Sequence, residues 1–352
     1  MSPIFLACTS FRPGNGGIAR VARLTAKATA TSRLWSRINA VSLLDDRPPT
    51  DLGGVGVRTA HSSPLRFALA LRRASLGHHR FVYDFSGLAR AHPAFPGLRR
   101  PFAVWMHGVE VWEKARGDRL RALRSANLVL CNSAYTQRRA ERLHGKMQNV
   151  RTCWLGTEDE DAPPTREKQG PPTVLVVGRL EGFLNKGHNP LLDAWPRVTS
   201  LVPDARLVVV GTGPSLGDLR ERARHSPAAR LIEVRGFVPE EQMPAVWSSA
   251  TVFAMPSRTE GFGLVYVEAM RWGLPVVASI HDAGGEINVD GSTGYNVNLD
   301  RRDELVDRLV HLLREDTIAR EFGQNAQARW KEHFSMGAFR SRFLAVTRDF
   351  FT

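Results

Sequence analysis

Short apolar runs alternate with longer stretches of helical period along this chain. In the first half the runs lie at residues 3–9, 39–44, 55–59, 80–85, 101–106, 127–131 and 151–154. In the second half they lie at 173–177, 206–210, 231–234, 251–255, 275–278 and 295–298. Strands spaced by helices predict an α/β class with parallel sheets covered by helices on both faces. Residues 158–172 are acidic, proline-rich and aperiodic, and read as a hinge. The expected plan is two doubly wound, Rossmann-like domains, residues 1–165 and 166–334, facing a central cleft at the carboxyl ends of both sheets. A last helix covers 335–351, within a terminal segment 335–352.

The segment 257–279 carries the densest chemistry. Glu260 and Glu268 stand with seven residues between them, around the turn Gly261, Phe262, Gly263. A strand-like run precedes the turn, and residues 264–272 read as a helix stopped by Gly273 and Pro275. The free N–H groups of that helix start would seat an anion or a sugar oxygen. Leu264, Val265, Val267, Ala269 and Met270 make the helix apolar almost all round, so it should be buried, and a carboxylate within it needs satisfying. Helical spacing puts Glu268 below the turn, so both carboxylates would look toward one cleft. The simpler alternative makes Glu260 a helix N-terminal acid and pairs Glu268 with Arg271.

Composition narrows the class. At 352 residues and 43% hydrophobic, the chain is long enough for two buried cores. No apolar run approaches the length of a membrane span. The opening residues 3–8 are too short and lack a basic flank for a signal peptide, and read as a first strand. Three cysteines, Cys8, Cys131 and Cys153, form neither a disulfide framework nor a metal spacing, which suits a reducing cytoplasm.

The net charge of +13 lies wholly in residues 1–165, where 25 Lys and Arg face 12 Asp and Glu. Such a half attracts anionic surfaces, either membrane or nucleic acid. Within it, residues 63–77 mix Leu65, Phe67, Leu69 and Leu71 with Arg66, Arg72 and Arg73. That is a helix lying on a membrane or, as the partly alternating spacing favours, a core-facing helix with solvated arginines.

The E-x7-E segment resembles the signature of the retaining nucleotide-sugar glycosyltransferases of glycosyltransferase family 4, which have the GT-B fold. Further segments share the resemblance. They are TVLVVGRL at 173–180 with Asn185, Lys186, Gly187 and His188, and ARLVVVGTGP at 205–214. Gly236, Phe237, Val238 and Pro239 follow with the helix 240–249, then Gly284, Gly285, Glu286 and the stretch 290–295. The match is dense over 173–297 and thins toward the N-terminus.

The resemblance implies a metal-independent hexosyltransferase with the donor on the second domain and the acceptor on the first. Catalytic roles fall to Glu260, His107, Arg179 and Lys186. Arg179 and Lys186 would hold the leaving diphosphate, with six residues between them where many relatives have four. Gly16 and Gly17, in a G-G-x-x-R loop ending at Arg20, would approach the diphosphate and acceptor. Phe237 and Val238 would face the nucleotide, Gly261, Phe262 and Gly263 the sugar, and Glu268 the ribose. His107 would lie near the reacting carbon, and Asn132 and Ser133 cap a helix. The terminal helix would brace the first domain.

The expected partners are a UDP- or GDP-sugar donor, a glycan or lipid-linked acceptor and an anionic membrane surface, without nucleic acid. The expected setting is bacterial surface-polysaccharide or glycolipid assembly on the cytoplasmic side, peripheral to the inner face of the membrane.

No metal and no cofactor are expected. Asp159, Glu160 and Asp161 give a D-x-D string only in the hinge, where acids are solvated, and Asp45 with Asp46 has the wrong spacing. His61, His78, His79 and His92 read as surface or loop residues. Three alternatives stay open: a nucleotide-sugar epimerase of the same plan, needing no acceptor; a basic nucleic-acid-binding protein, which leaves Glu260 and Glu268 unexplained; and a catalytically silent scaffold, against which every site position that aligns carries the expected chemistry.

Overall fold

Every one of these apolar runs forms a strand. The computed structural model describes residues 2–32, 35–77, 80–94, 99–113, 115–164, 170–181, 186–301 and 303–351. It divides into two units, Met1–Glu158 with Ser335–Thr352, and Asp159–Phe334. Asn185, His78 and His79 lie outside the described residues.

In the first unit the elements run β1 (Ser2–Cys8), α1 (Gly16–Ala30), β2 (Trp35–Ser42), β3 (Gly56–Thr59), α2 (Pro64–Gly77), β4 (Arg80–Tyr83) and α3 (Ser86–Ala89). They continue as β5 (Phe102–Met106), α4 (Gly117–Ser125), β6 (Leu128–Cys131), α5 (Ala134–His144) and β7 (Val150–Thr152). The sheet order is β3-β2-β1-β4-β5-β6-β7, and every pairing is parallel. β5 is buried along its whole length, as a central parallel strand covered on both faces must be.

On one face of this sheet Phe67 and Leu71 of α2 pack with Phe81, Tyr83 and Val104. On the other, Trp105 stacks with the rings of Phe339 and Phe343, each 6.4 Å away, and donates its indole N–H to Thr25 Oγ1 at 3.0 Å. Those phenylalanines belong to α13 (Met336–Phe351), which packs against α1. Each such buried aromatic contributes about 1.5–3 kcal/mol, so the last helix is held to this unit by packing.

The second unit runs β8 (Thr173–Val177), α6 (His188–Leu201), β9 (Arg206–Val210), α7 (Leu216–His225), β10 (Ile232–Gly236), α8 (Met243–Ser249) and β11 (Val252–Ala254). Then come α9 (Leu264–Arg271), β12 (Val276–Ser279), α10 (Gly284–Ile287), β13 (Gly294–Val297), α11 (Glu304–Arg314) and α12 (Asp316–His333). The parallel order is β10-β9-β8-β11-β12-β13. Both sheets change direction beside their first strand, between β1 and β4 and between β8 and β11. The loops leaving such a pair diverge at the carboxyl ends and open a crevice.

Packing corrects three local readings and buries an acid, Asp45, to which the sequence pattern assigns no role. Arg271 pairs with Asp159 at 2.9 Å and lies over the Trp330 ring, so the Glu268–Arg271 pair of the simpler alternative is replaced. Asp161 pairs with Lys331 at 3.0 Å, so these hinge acids are tied to α9 and α12 rather than only solvated. Asp45 is buried; it accepts the Phe11 N–H at 2.7 Å and the Ser10 hydroxyl at 2.5 Å. His92 is half-buried between Phe81, Tyr83 and Phe102, with Nδ1 bonded to the Tyr83 hydroxyl at 2.8 Å and Nε2 to Arg100 O at 3.0 Å. Burial pushes its pKa down to about 4.

Candidate functional site

The β8/β11 switch point gathers most of the singled-out residues of the second unit. Lys186 and Glu260 come from loops leaving these two neighbouring strands and form an ion pair, with 15% and 16% of their side chains exposed. Gly187 is what lets them meet. Its φ is +85°, and a Cβ there would stand 2.7 Å from Pro256 N. Any side chain would push the Lys186 loop off the β11 turn.

Glu260 Oε1 also accepts the N–H groups of Gly261 at 3.0 Å and Phe262 at 3.4 Å. Gly263, at φ +90°, then turns the chain into α9, where a Cβ would strike the Tyr266 ring at 2.2 Å. Tyr266 is fully buried and donates its hydroxyl to Met255 O at 2.6 Å, holding the helix start under the end of β11. The result is a half-buried carboxylate whose charge is shared by one cation and two amides. Such an arrangement can accept hydroxyl donors and, through Lys186, face an anion.

Arg179 lies just past β8. Its side chain is 75% exposed and pairs with Glu181. Leu180 N–H bonds Thr212 O at 2.9 Å and Gly178 N–H bonds Val210 O at 3.0 Å, so this loop is laced to the loop after β9. Phe237 follows β10 and is 73% exposed, with Val238 half-buried beside it. An exposed aromatic ring at a strand's carboxyl end offers a face for a flat ligand. Glu268 is half-buried in α9 between buried Val267 and Ala269. Half-burial of Leu264 and Val265 makes α9 less enclosed than its sequence suggests.

In the first unit, Gly16 and Gly17 open α1 and are exposed. His107 follows β5; its Nε2 bonds Asp84 O and its N–H bonds Glu110 Oε1, both at 2.6 Å. The Asn132 amide donates to His107 O at 3.0 Å, and Ser133 caps α5 by accepting the Thr136 N–H at 3.0 Å.

Sequence reasoning passed over two buried acids. Asp84, at the β1/β4 switch point, accepts the Thr9 N–H at 2.6 Å and the Thr9 hydroxyl at 3.3 Å. Burial pushes its pKa up to about 8. Asp282, past β12, is pushed up to about 7, chiefly by burial and further by Glu260. The one signal available was position, an acid just beyond an apolar run. A folded pKa raised above the ordinary 3.8 means stability complete below about pH 4 and lost as pH rises through about 8. Thermal unfolding midpoints should therefore fall between about pH 4 and 8 and level off above that, and Asp84→Asn should flatten that fall. An unchanged slope in the variant would remove Asp84 as its source.

Among the described residues no group of three His, Cys, Asp or Glu is placed to hold a metal ion, and no helix is long and apolar enough to cross a membrane.

Two parallel α/β units of this topology are the GT-B plan. Solved structures share it over the whole chain: Anabaena HepE in complex with UDP-glucose (TM-score 0.79, 20% identity, covering 99% of this chain and 100% of that one) and a sucrose-phosphate synthase from Thermosynechococcus elongatus (TM-score 0.79, 22% identity, covering 100% and 99%). The family described as "Glycosyl transferases group 1" matches residues 171–315. A GDP-mannose-dependent alpha-(1-6)-phosphatidylinositol monomannoside mannosyltransferase of Mycolicibacterium smegmatis is 34% identical over 223 residues, 57% of this chain and 58% of that one. An alpha-D-kanosaminyltransferase of Streptomyces kanamyceticus is 29% identical over 180 residues, 51% and 46% of the two chains. The chain thus matches about half the length of these curated relatives. These similarities support a glycosyltransferase of family 4 type, and the fold is GT-B.

Proposed function

We propose that this protein is a retaining, metal-independent glycosyltransferase. It moves a hexose from a UDP- or GDP-sugar to a glycan or lipid-linked acceptor in surface-polysaccharide or glycolipid assembly. The Lys186–Glu260 pair at the β8/β11 switch point, with the amides of Gly261 and Phe262 on the same carboxylate, is the observation that carries this reading.

Glu260 and the turn hold sugar hydroxyls, Arg179 and Lys186 the diphosphate, Glu268 the ribose, and Phe237 with Val238 the base. Gly16 and Gly17 serve the diphosphate and acceptor, and His107 the reacting carbon. The departing diphosphate takes the acceptor's proton in a front-face displacement, and cations there stabilise charge as the glycosidic bond breaks. The GDP-mannose dependence of the Mycolicibacterium smegmatis relative supports a nucleotide-sugar donor.

Donor hydrolysis screened over UDP-, GDP- and ADP-sugars tests this without knowledge of the acceptor. One nucleotide sugar should be hydrolysed slowly, with chelator present. No turnover of any donor, or isomerisation without acceptor, would overturn the reading; loss of activity to chelator, restored by a divalent ion, would overturn only its metal-free part.

The acceptor's setting is the cytoplasmic face of an anionic membrane, with α2 as the contact. Phe67, Leu71 and Ala74 turn inward, whereas Leu65, Leu69 and Leu76 are 70%, 44% and 73% exposed. The exposed three are spaced four and seven residues apart, one above another on a helix. Arg66, Arg72 and Arg73 are exposed beside them. Apolar side chains flanked by arginines suit the headgroup boundary. The full chain should sediment with phosphatidylglycerol vesicles, not phosphatidylcholine ones, and be released by salt. Each arginine at the surface contributes about 1 kcal/mol, so Arg66, Arg72 and Arg73 all changed to Gln should weaken binding about a hundredfold. Undiminished binding by that variant would exclude α2 as the contact.

A further inference from the structure

Beneath the Glu260 turn lies a carboxylate that the reading above leaves without a role. Asp282 is 3% exposed and sits between β12 and α10. One of its oxygens accepts the Glu260 N–H and the other accepts the Gly284 N–H, both at 2.9 Å. The Ser257 hydroxyl is a third donor to it. The contact is returned one residue on, where Ala283 N–H donates to Glu260 O at 3.2 Å. The Glu260 backbone is therefore pinned at its N–H and its carbonyl by two consecutive residues, while its side chain reaches Gly261, Phe262 and Lys186.

The donors that hold Asp282 are neutral, so its burial is offset by hydrogen bonds rather than by an ion pair. Two titratable groups face it. Glu260 lies across the shared amide, and the buried Tyr266 phenol of α9 has its pKa raised by burial and then by both carboxylates. A Cβ on Gly284 would stand 2.9 Å from the Tyr266 hydroxyl, so these elements close tightly around Asp282.

We infer that Asp282 is the positioning residue for Glu260: it fixes the Glu260 backbone, and so the direction of the carboxylate, without itself meeting the sugar. The inference rests on the donor-site reading of Glu260. Its structural half, the latch, can be tested apart from that reading.

Asp282→Asn keeps the volume but turns an NH2 toward one of the two amides, replacing acceptance by repulsion. In the variant, hydrogen exchange at the Glu260 and Gly284 amides should quicken about tenfold or more. Turnover in donor hydrolysis should fall about tenfold or more, while affinity for the free nucleoside diphosphate changes less than about threefold. The wild-type turnover should decline as pH falls through about 7, where protonation takes one acceptor from the latch, and the variant should lack that limb.

Unchanged exchange in the folded variant overturns the latch, and unchanged turnover with an unchanged pH profile overturns the positioning role. If no donor is hydrolysed by the wild type, the glycosyltransferase reading fails while the exchange result still decides the latch. If the variant does not fold, wild-type Glu260 amide protection, corrected for intrinsic exchange, decides it. The Glu260 amide should exchange well below its intrinsic rate, and exchange at the intrinsic rate overturns the latch.

Discussion

Glu260→Gln should fold normally and lose most of its turnover. The Asp282 and Ala283 contacts to Glu260 use only its backbone, so the turn stays in place when the side chain changes. The amide oxygen can still accept one N–H from Gly261 or Phe262. What disappears is the charge that meets Lys186 and strengthens every bond to a hydroxyl donor. Charge-assisted bonds are worth about 1.5–3 kcal/mol each, which is a loss of about ten- to a hundredfold for one bond and more for two. Steady-state kinetics on the donor identified by the hydrolysis screen, beside a thermal melt, measures this. Full turnover in a well-folded glutamine variant would take Glu260 out of the site.

The second large effect falls on the cations, and the structure ranks them. Lys186 is mostly buried against Glu260, whereas Arg179 is largely exposed and paired with Glu181. Lys186→Ala removes a charge proposed to meet the leaving diphosphate and also leaves Glu260 without its cation. Breaking an enclosed pair costs about 3–5 kcal/mol when it is fully buried, and this partly exposed one should cost less. Nucleoside diphosphate titration should weaken at least tenfold or so for Lys186→Ala, with a larger fall in turnover, because the cation matters most as the bond breaks. Arg179→Ala should move both in the same direction by a smaller factor. Titration of both variants indistinguishable from the wild type would remove the diphosphate assignment.

The positions of strands and helices were legible in the sequence because they rest on local periodicity and on turn chemistry. The runs at 173–177 and 206–210 became β8 and β9 with unchanged ends. Gly263 before Leu264 and Gly273 after Trp272 bounded α9 to within a residue. The E-x7-E spacing, the glycines and the basic residue after the first strand of the second unit could be read as a group because each sits at a fixed offset from a strand or helix end.

Tertiary structure decided whatever depends on neighbours distant in sequence. Arg271 took Asp159 rather than Glu268, because the segment leaving the first unit passes α9. Asp45, Asp84 and Asp282 are buried because residues close by on adjacent loops supply N–H and O–H donors; a linear pattern registers them only as acids after apolar runs. His92 turned inward because Tyr83, Phe81 and Phe102 stand on adjacent parallel strands and form its pocket. In α2 the sequence offered Leu65, Phe67, Leu69 and Leu71 as equals, and only the packing against the first sheet separated Phe67 and Leu71 from the exposed pair. Periodicity fixes which residues share a face of an element. Which face is covered, and which carboxylate meets donors there, is set by strand order, and strand order is a long-range property of the fold.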